Sequence, residues 1–275
     1  MKTRVIAGLC MVPLLVILYF GGWALGIAWL LIAGVGVTEF YNGLKKISVK
    51  PMPYVAYATI VALFGLYGCS LSSNFDTLLF PYFVLMILVF GVAASMIYGW
   101  KINDRGSYDS IGTVIGIVYV VFFSYHLLML EELGTGHVFL WTVVLSAFGS
   151  DICAYFTGMK IGKKKLAPNL SPKKTIEGSV GGVIGAGVLC LLFGLFFAKE
   201  YIWQCLLIGI VGGLVSQAGD LTASAFKRKM GIKDYGKLIP GHGGIMDRFD
   251  SVIFVAPFVY YLVLFLVEYR TYKGY

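Results

Sequence analysis

Nine apolar runs follow one another along this chain, near residues 5–20, 22–39, 54–71, 78–98, 111–130, 138–158, 179–198, 202–220 and 251–269. Each is long enough, or nearly so, for a helix to cross a hydrocarbon core about 30 Å thick. Unbroken apolar runs of this length predict helices rather than barrel strands, because a helix satisfies its backbone hydrogen bonds within one segment. Gly21-Gly22 divides the first two runs and can close them into a tight hairpin. The expected fold is therefore an all-α integral membrane protein with about nine transmembrane helices. Composition agrees: 59% of residues are hydrophobic and 13% charged, against about 25% charged in soluble domains.

The connecting segments alternate in charge. Nineteen of the 22 Lys and Arg fall in segments on one side, leaving only Lys199, Arg270 and Lys273 for the other. That bias predicts a cytoplasmic N-terminus and, for nine spans, a C-terminus outside. The net charge of +8 would point to nucleic acid in a soluble protein. Here it serves topology and anionic ligands or lipids, and no nucleic-acid partner is expected. The five cysteines have no paired spacing and read as small apolar residues. The first apolar run lacks a small-residue cleavage site and is read as a retained helix. Residues 1–137 then form an N-terminal region of five spans. Residues 138–275 hold four spans and two long polar segments, 159–178 and 221–250, and are the expected catalytic region.

Three polar constellations stand out. In the first, a helix continuing past the eighth run puts Asp220, Ser224, Lys227 and Arg228 at i, i+4, i+7 and i+8, on one face. In the second, Pro240-Gly241-His242-Gly243-Gly244 is followed by Asp247, Arg248 and Asp250. Glycines there let backbone N–H groups approach a ligand, and acids at a membrane edge cost free energy unless they act. The third runs from Ser150-Asp151 to the segment SPKKTIEG, Ser171–Gly178. Ser171 can be read as an N-cap with Pro172 at the first helical position, which sets Lys173 and Lys174 beside a helix start. Basic groups, glycines and carboxylates together describe a site for polyphosphate and a divalent cation. No Walker loop, GxGxxG fingerprint, GxSxG elbow or His/Cys zinc cluster is present in the sequence.

The stretch from Ser224 to Asp250, with its KR pair, KD pair, PGHGG and DRFD, resembles the signature of the CDP-diacylglycerol synthases, the phosphatidate cytidylyltransferases. Gly219-Asp220-Leu221 and Ser171–Gly178 also resemble that family's patterns. The motifs cover roughly the last 130 residues, while the earlier ones agree only in being apolar spans. The resemblance implies transfer of a cytidylyl group from CTP to phosphatidate, giving CDP-diacylglycerol and pyrophosphate in phospholipid biosynthesis. It also implies a Mg2+-dependent homodimer in the bacterial cytoplasmic (inner) membrane, with its site facing the cytoplasm.

On this reading Asp220 and Asp247 are the principal metal ligands with Asp250 in support, and a second cation is open near Asp151. Lys227 and Arg248 join the two acids as catalytic residues. Ser224, Arg228, His242, Gly243, Gly244, Lys173 and Lys174 bind substrate. Two alternatives stand beside it. A CTP-dependent lipid or polyprenol kinase would pass on the γ-phosphoryl group and make CDP. An anion or metal transporter would need polar residues deep in several spans and on both faces, whereas those here cluster on one side.

Overall fold

The computed structural model describes residues 13, 15–72, 75, 77–99, 106–238 and 243–268. Among these residues, eight helices are long and apolar enough to cross a membrane. They are α1 (Gly22–Lys45), α2 (Pro53–Ser70), α3 (Phe80–Tyr98), α4 (Ser107–Glu131), α5 (Gly136–Ile161), α6 (Ile176–Phe197), α7 (Ile202–Lys229) and α8 (Met246–Glu268). Each covers one of the expected runs from the second to the ninth. Most of the first expected run lies outside the described residues, although residues 15–20 are helical. The break falls at the glycine pair: Gly21 and Gly22 both take positive φ, 59° and 50°, which a side chain would resist. One small antiparallel ribbon, β1 (Lys165–Ala167) with β2 (Ser171–Thr175), interrupts this helical architecture.

The chain divides into two compact units. The first holds the chain up to Glu132 together with Lys227–Phe249, and the second holds Leu133–Phe226 with the chain from Asp250 onward.

In the first unit, α1 organises the packing. Trp29, Ala33, Val37, Phe40 and Tyr41 are all buried along it. Trp29 Nε1 donates to Ser124 Oγ at 3.0 Å, tying α1 to α4. The Tyr41 hydroxyl donates to the Thr113 carbonyl at 2.8 Å, and its ring occupies the space that a side chain at Gly116 would need. Gly116–Phe122 is a π-helical stretch within α4, and the Thr113 carbonyl just before it accepts both the Gly116 N–H and the Tyr41 hydroxyl. At the other end, Glu131 accepts from the Gly22 N–H at 2.7 Å and from the Tyr67 hydroxyl at 2.5 Å.

The second unit is built on small residues. On α6, Gly178, Gly182, Ala186, Cys190 and Gly194 are buried at four-residue intervals. On α7, Cys205, Gly209, Gly213 and Gln217 repeat the interval. A Cβ at Gly178 would come 3.1 Å from the Gly158 Cα of α5, and one at Gly209 would lie 2.7 Å from the Ala186 carbonyl oxygen of α6. Lipid tails are as apolar as leucine, so helices in a bilayer associate through such close backbone packing and through hydrogen bonds between helices. Ser150 Oγ donates to the Gly213 carbonyl at 3.3 Å, and Ser216 Oγ to that of Ala147 at 3.3 Å.

The start of α6 differs from the expected helix start at Ser171. Residues Ser171–Thr175 are the strand β2, and the N-cap is Thr175, whose Oγ1 accepts the Gly178 N–H at 3.2 Å. Glu177 accepts the amides of Lys163 and Lys164 at 2.9 and 3.2 Å, which folds the β1 end back onto the helix start. Lys173 and Lys174 are therefore strand residues that lead into the helix.

Candidate active site

In the second unit a cavity of about 410 Å³ opens where α5, β2, α6 and α7 meet. Lys173, Lys174, Asp151, Asp220, Gln217 and Ser179 supply its polar wall, and Tyr155, Met159 and Leu166 its apolar one. Strand β2 delivers the two lysines, and α7 delivers Asp220 one residue after Gly219. At Gly219 the helix backbone lies against Phe254 and the Asp250 carbonyl of α8. Gln217 is buried and fully engaged: its Nε2 donates to the Ser179 carbonyl at 2.9 Å and to Ser150 Oγ at 3.2 Å, and its Oε1 pairs with Ser179 Oγ. That amide joins α5, α6 and α7 beneath the charged residues.

Lys174 Nζ meets Asp220 Oδ2 at 2.7 Å, with each side chain about a quarter exposed. The ammonium nitrogen itself is shielded from solvent and, among the described residues, has no hydrogen-bond partner beyond this ion pair. An ammonium carries three donors. A shielded one with donors to spare, at the wall of a cavity, suits the oxygens of a phosphate.

A second cluster lies in the first unit, around the return of the chain into α8. Asp247 is buried and, among the described residues, accepts three hydrogen bonds: from Lys227 Nζ at 2.9 Å on one oxygen, and from the Tyr235 and Gly244 amides at 2.8 and 3.0 Å on the other. Lys227 also stands 5.4 Å over the Tyr235 ring. Gly243 takes a φ of +84°, and a Cβ there would lie 2.7 Å from Asp247 Oδ2. The Gly243-Gly244 turn is thus wrapped around the Asp247 carboxylate.

The remaining expected residues are distributed as follows. Helix α7 runs unbroken to Lys229, so Asp220, Ser224, Lys227 and Arg228 do lie along one helix. Ser224 is half-buried, while Arg228 and Arg248 are exposed. Asp250 is buried and accepts the Ser251 amide at 2.8 Å. His242 lies outside the described residues. Each of Asp220 and Asp247 has its own lysine. Among the described residues no group of three His, Cys, Asp or Glu is gathered as a ready-made metal cage. The donor chemistry of the cavity nevertheless fits Mg2+, which binds through one or two carboxylates and completes its shell with water and substrate phosphates. Asp151 and Asp220 are two such hard oxygen donors on one cavity wall.

Two participants escaped the sequence reading. Gln217 is uncharged and sits within an apolar run, so nothing in the pattern marks it. Glu39 is buried in α1 and accepts the Ile245 and Met246 amides at 3.2 and 2.9 Å. Its signal was available, because an acid inside an apolar helix is rarely idle.

Comparison with known proteins bears on what these clusters do. Residues 2–266 match the model of the cytidylyltransferase family. A phosphatidate cytidylyltransferase of Staphylococcus haemolyticus is 33% identical over 95% of this chain and 97% of its own length. One from Thermotoga maritima is 30% identical over 98% of this chain and 97% of its own. One from Bacillus subtilis is 38% identical over 64% of this chain and 67% of its own. The match to the family model over nearly the whole chain, with relatives similar from end to end, shows that this chain belongs to the cytidylyltransferase family.

Proposed function

We propose that the protein transfers the cytidylyl group of CTP to phosphatidate, forming CDP-diacylglycerol and releasing pyrophosphate. The observation that carries this reading is the end-to-end similarity to two proteins named phosphatidate cytidylyltransferase, over 95% and 98% of this chain. We place the enzyme in the bacterial cytoplasmic membrane with its site on the cytoplasmic side, where the lysine-rich segments belong by their charge. A homodimer is the assembly implied by the family resemblance.

In the reaction, a phosphate oxygen of phosphatidate attacks the α-phosphorus of CTP. The bond from that phosphorus to the oxygen bridging to the β-phosphorus breaks, and pyrophosphate leaves with the electron pair. The attacking group is a phosphate monoester with a second pKa of about 6, so it is ionised at neutral pH and needs no general base. The barrier is electrostatic, because two anionic substrates must meet in one place.

What supports a role for the cavity is the chemistry of its wall. Lys174 has N–H donors left over from its pairing with Asp220, and Lys173 adds a second cation beside it. The apolar wall of Tyr155, Met159 and Leu166 suits the glycerol and acyl end of a lipid phosphate. Asp220, with Asp151, is our choice of ligand for Mg2+, which when bound would offset polyphosphate charge and polarise the reacting phosphate. Lys227 acts on this reading through Asp247, holding the turn that leads into α8.

The test uses purified protein in mixed micelles of detergent and phosphatidate with Mg2+. CTP labelled at the α-phosphate is expected to pass its label to a lipid, and CTP labelled at the γ-phosphate to release it as pyrophosphate. Transfer of the γ-label to diacylglycerol or a polyprenol would identify a lipid kinase instead. Absence of α-label from the lipid would overturn the proposal.

A further inference from the structure

We propose that Glu39 is a positioning residue for this reaction, fixing the stretch of backbone that carries Asp247 and Arg248. The catalytic half of this inference rests on the cytidylyl-transfer reading, while its structural half stands apart from it.

Three successive amides at the entry to α8 donate to carboxylates of the protein itself. Gly244 donates to Asp247 at 3.0 Å, Ile245 to Glu39 Oε1 at 3.2 Å, and Met246 to Glu39 Oε2 at 2.9 Å. Consecutive N–H groups in a glycine turn at a helix N-terminus ordinarily form a cradle for an external anion. Here side-chain carboxylates fill it, so the turn presents a held frame rather than a row of open donors. Glu39 comes from 206 positions away in the sequence and stands where a phosphate would otherwise stand.

The fit around Glu39 is close. A Cβ at Gly236 or at Gly244 would overlap its carboxylate. Glu39 is only 8% exposed, and among the described residues no Lys or Arg pairs with it. Its charge is held by two amides and by the positive end of α8. Ile245, the residue before the helix, offers no polar side chain of its own, so local capping cannot replace Glu39. The neighbouring Phe40 ring meets Tyr235 at 6.0 Å, and the Tyr235 amide donates to Asp247. Helix α1 therefore reaches the α8 entry from two adjacent residues, Glu39 directly by hydrogen bonds and Phe40 indirectly, through Tyr235. Loss of the Glu39 contact should let the first turn of α8, and with it Asp247 and Arg248, drift from its set position. A misplacement of that kind affects turnover more than substrate capture.

The experiment compares the wild type with Glu39→Gln, Glu39→Asp and Gly236→Ala. Glutamine keeps the size of the side chain but turns an NH2 toward one of the two amides. It is expected to lower kcat by about tenfold or more per folded molecule, with KM for phosphatidate unchanged. Amide hydrogen exchange at residues 244–249 should quicken by about tenfold, with the rest of the chain unaffected. Glu39→Asp restores two acceptor oxygens and should recover part of the rate. Gly236→Ala, which crowds the same carboxylate without removing its charge, should reproduce the kcat loss if the glutamine variant fails to fold. Wild-type kcat per folded molecule in Glu39→Gln, or in Gly236→Ala where the first does not fold, would overturn the positioning role. Unchanged exchange at 244–249 would overturn the frame itself. If the wild type transfers no cytidylyl group, the functional reading falls, and the exchange measurement still decides the frame.

Discussion

Lys174 and Asp220 meet at 2.7 Å on the wall of the cavity in the second unit, and the pair leaves the lysine with unspent donors. An ion pair with both members about a quarter exposed adds little to stability, about 1 kcal/mol at most. On the proposed reading its value to the protein lies in chemistry. The geometry keeps a cation and a carboxylate side by side, as a site that would take one phosphate and a Mg2+ ion with it requires.

Replacement of Lys174 by alanine should therefore lower kcat/KM for cytidylyl transfer by about a hundredfold while the melting temperature moves little. Asp220→Asn should lose activity to a similar degree. The double variant should be no worse than the poorer single one, because the two residues act as a unit. Steady-state kinetics with thermal unfolding in detergent checks all three. Near-wild-type turnover in Lys174→Ala would remove the cavity from the reaction.

Much of this architecture is legible in the amino-acid sequence. Apolar runs located every described membrane helix, because a bilayer demands long uninterrupted stretches. The apolar runs stop near 39 and 220, whereas α1 continues to Lys45 and α7 to Lys229, the continuation past the eighth run that sets Asp220, Ser224, Lys227 and Arg228 along one helix. Hydropathy reports where the lipid ends, and a helix is free to continue into water. Lys173, Lys174 and Asp220 announced themselves by charge in an apolar chain. The Ser171-Pro172 pair suggested a helix start that Thr175 in fact supplies, since strand pairing with β1 took the preceding residues. Gln217 and Glu39 act through partners far away in sequence, and no local pattern reveals such pairing.

A pH effect follows from Glu132, which lies just beyond the end of α4. Burial pushes its carboxyl above the ordinary glutamate range, a hydrogen bond from Ser70 opposes this, and the neighbouring Glu131 charge adds to it. A carboxyl raised in the folded state binds its proton more readily folded than unfolded. Stability should then fall as pH rises from the unfolded value near 4.5 through the higher folded value, and level off above it. Glu132→Gln should flatten that part of the curve and raise the melting temperature at neutral pH. Thermal unfolding of both proteins across the acidic range decides, and identical slopes would count against the assignment.

The small-residue seam of the second unit predicts a sharp contrast between two faces of α6. A Cβ at Gly182 would lie 2.8 Å from the Ser150 carbonyl oxygen and 2.9 Å from the Ala154 Cβ. Gly182→Leu should force α5 and α6 apart and lower stability by about 3 kcal/mol or more. Ile184, 60% exposed on the other face, should accept leucine with almost no change. Equal melting temperatures for the two variants would mean that backbone contact does not hold these helices together.

Asp247 offers the strictest separation of structure from chemistry. Its carboxylate accepts from Lys227 and from the amides of Tyr235 and Gly244, all in a buried setting. Asp247→Ala would leave the lysine ammonium and two amides without their acceptor. Breaking a buried pair from one side costs about 3–5 kcal/mol, so this variant should unfold at distinctly lower temperature. Asp247→Asn retains one acceptor oxygen and should cost less. Lys227→Ala leaves Asp247 with its two amide donors and should lie between wild type and Asp247→Ala in stability. If the segment from 227 to 247 serves the reaction, activity per folded molecule should fall in all three variants, including those that melt normally. The measurement is kcat normalised to folded protein, beside thermal unfolding in the same detergent. Full activity per folded molecule in Asp247→Asn and Lys227→Ala would reduce this cluster to a structural clasp and leave the chemistry to the cavity that Lys174 and Asp220 line.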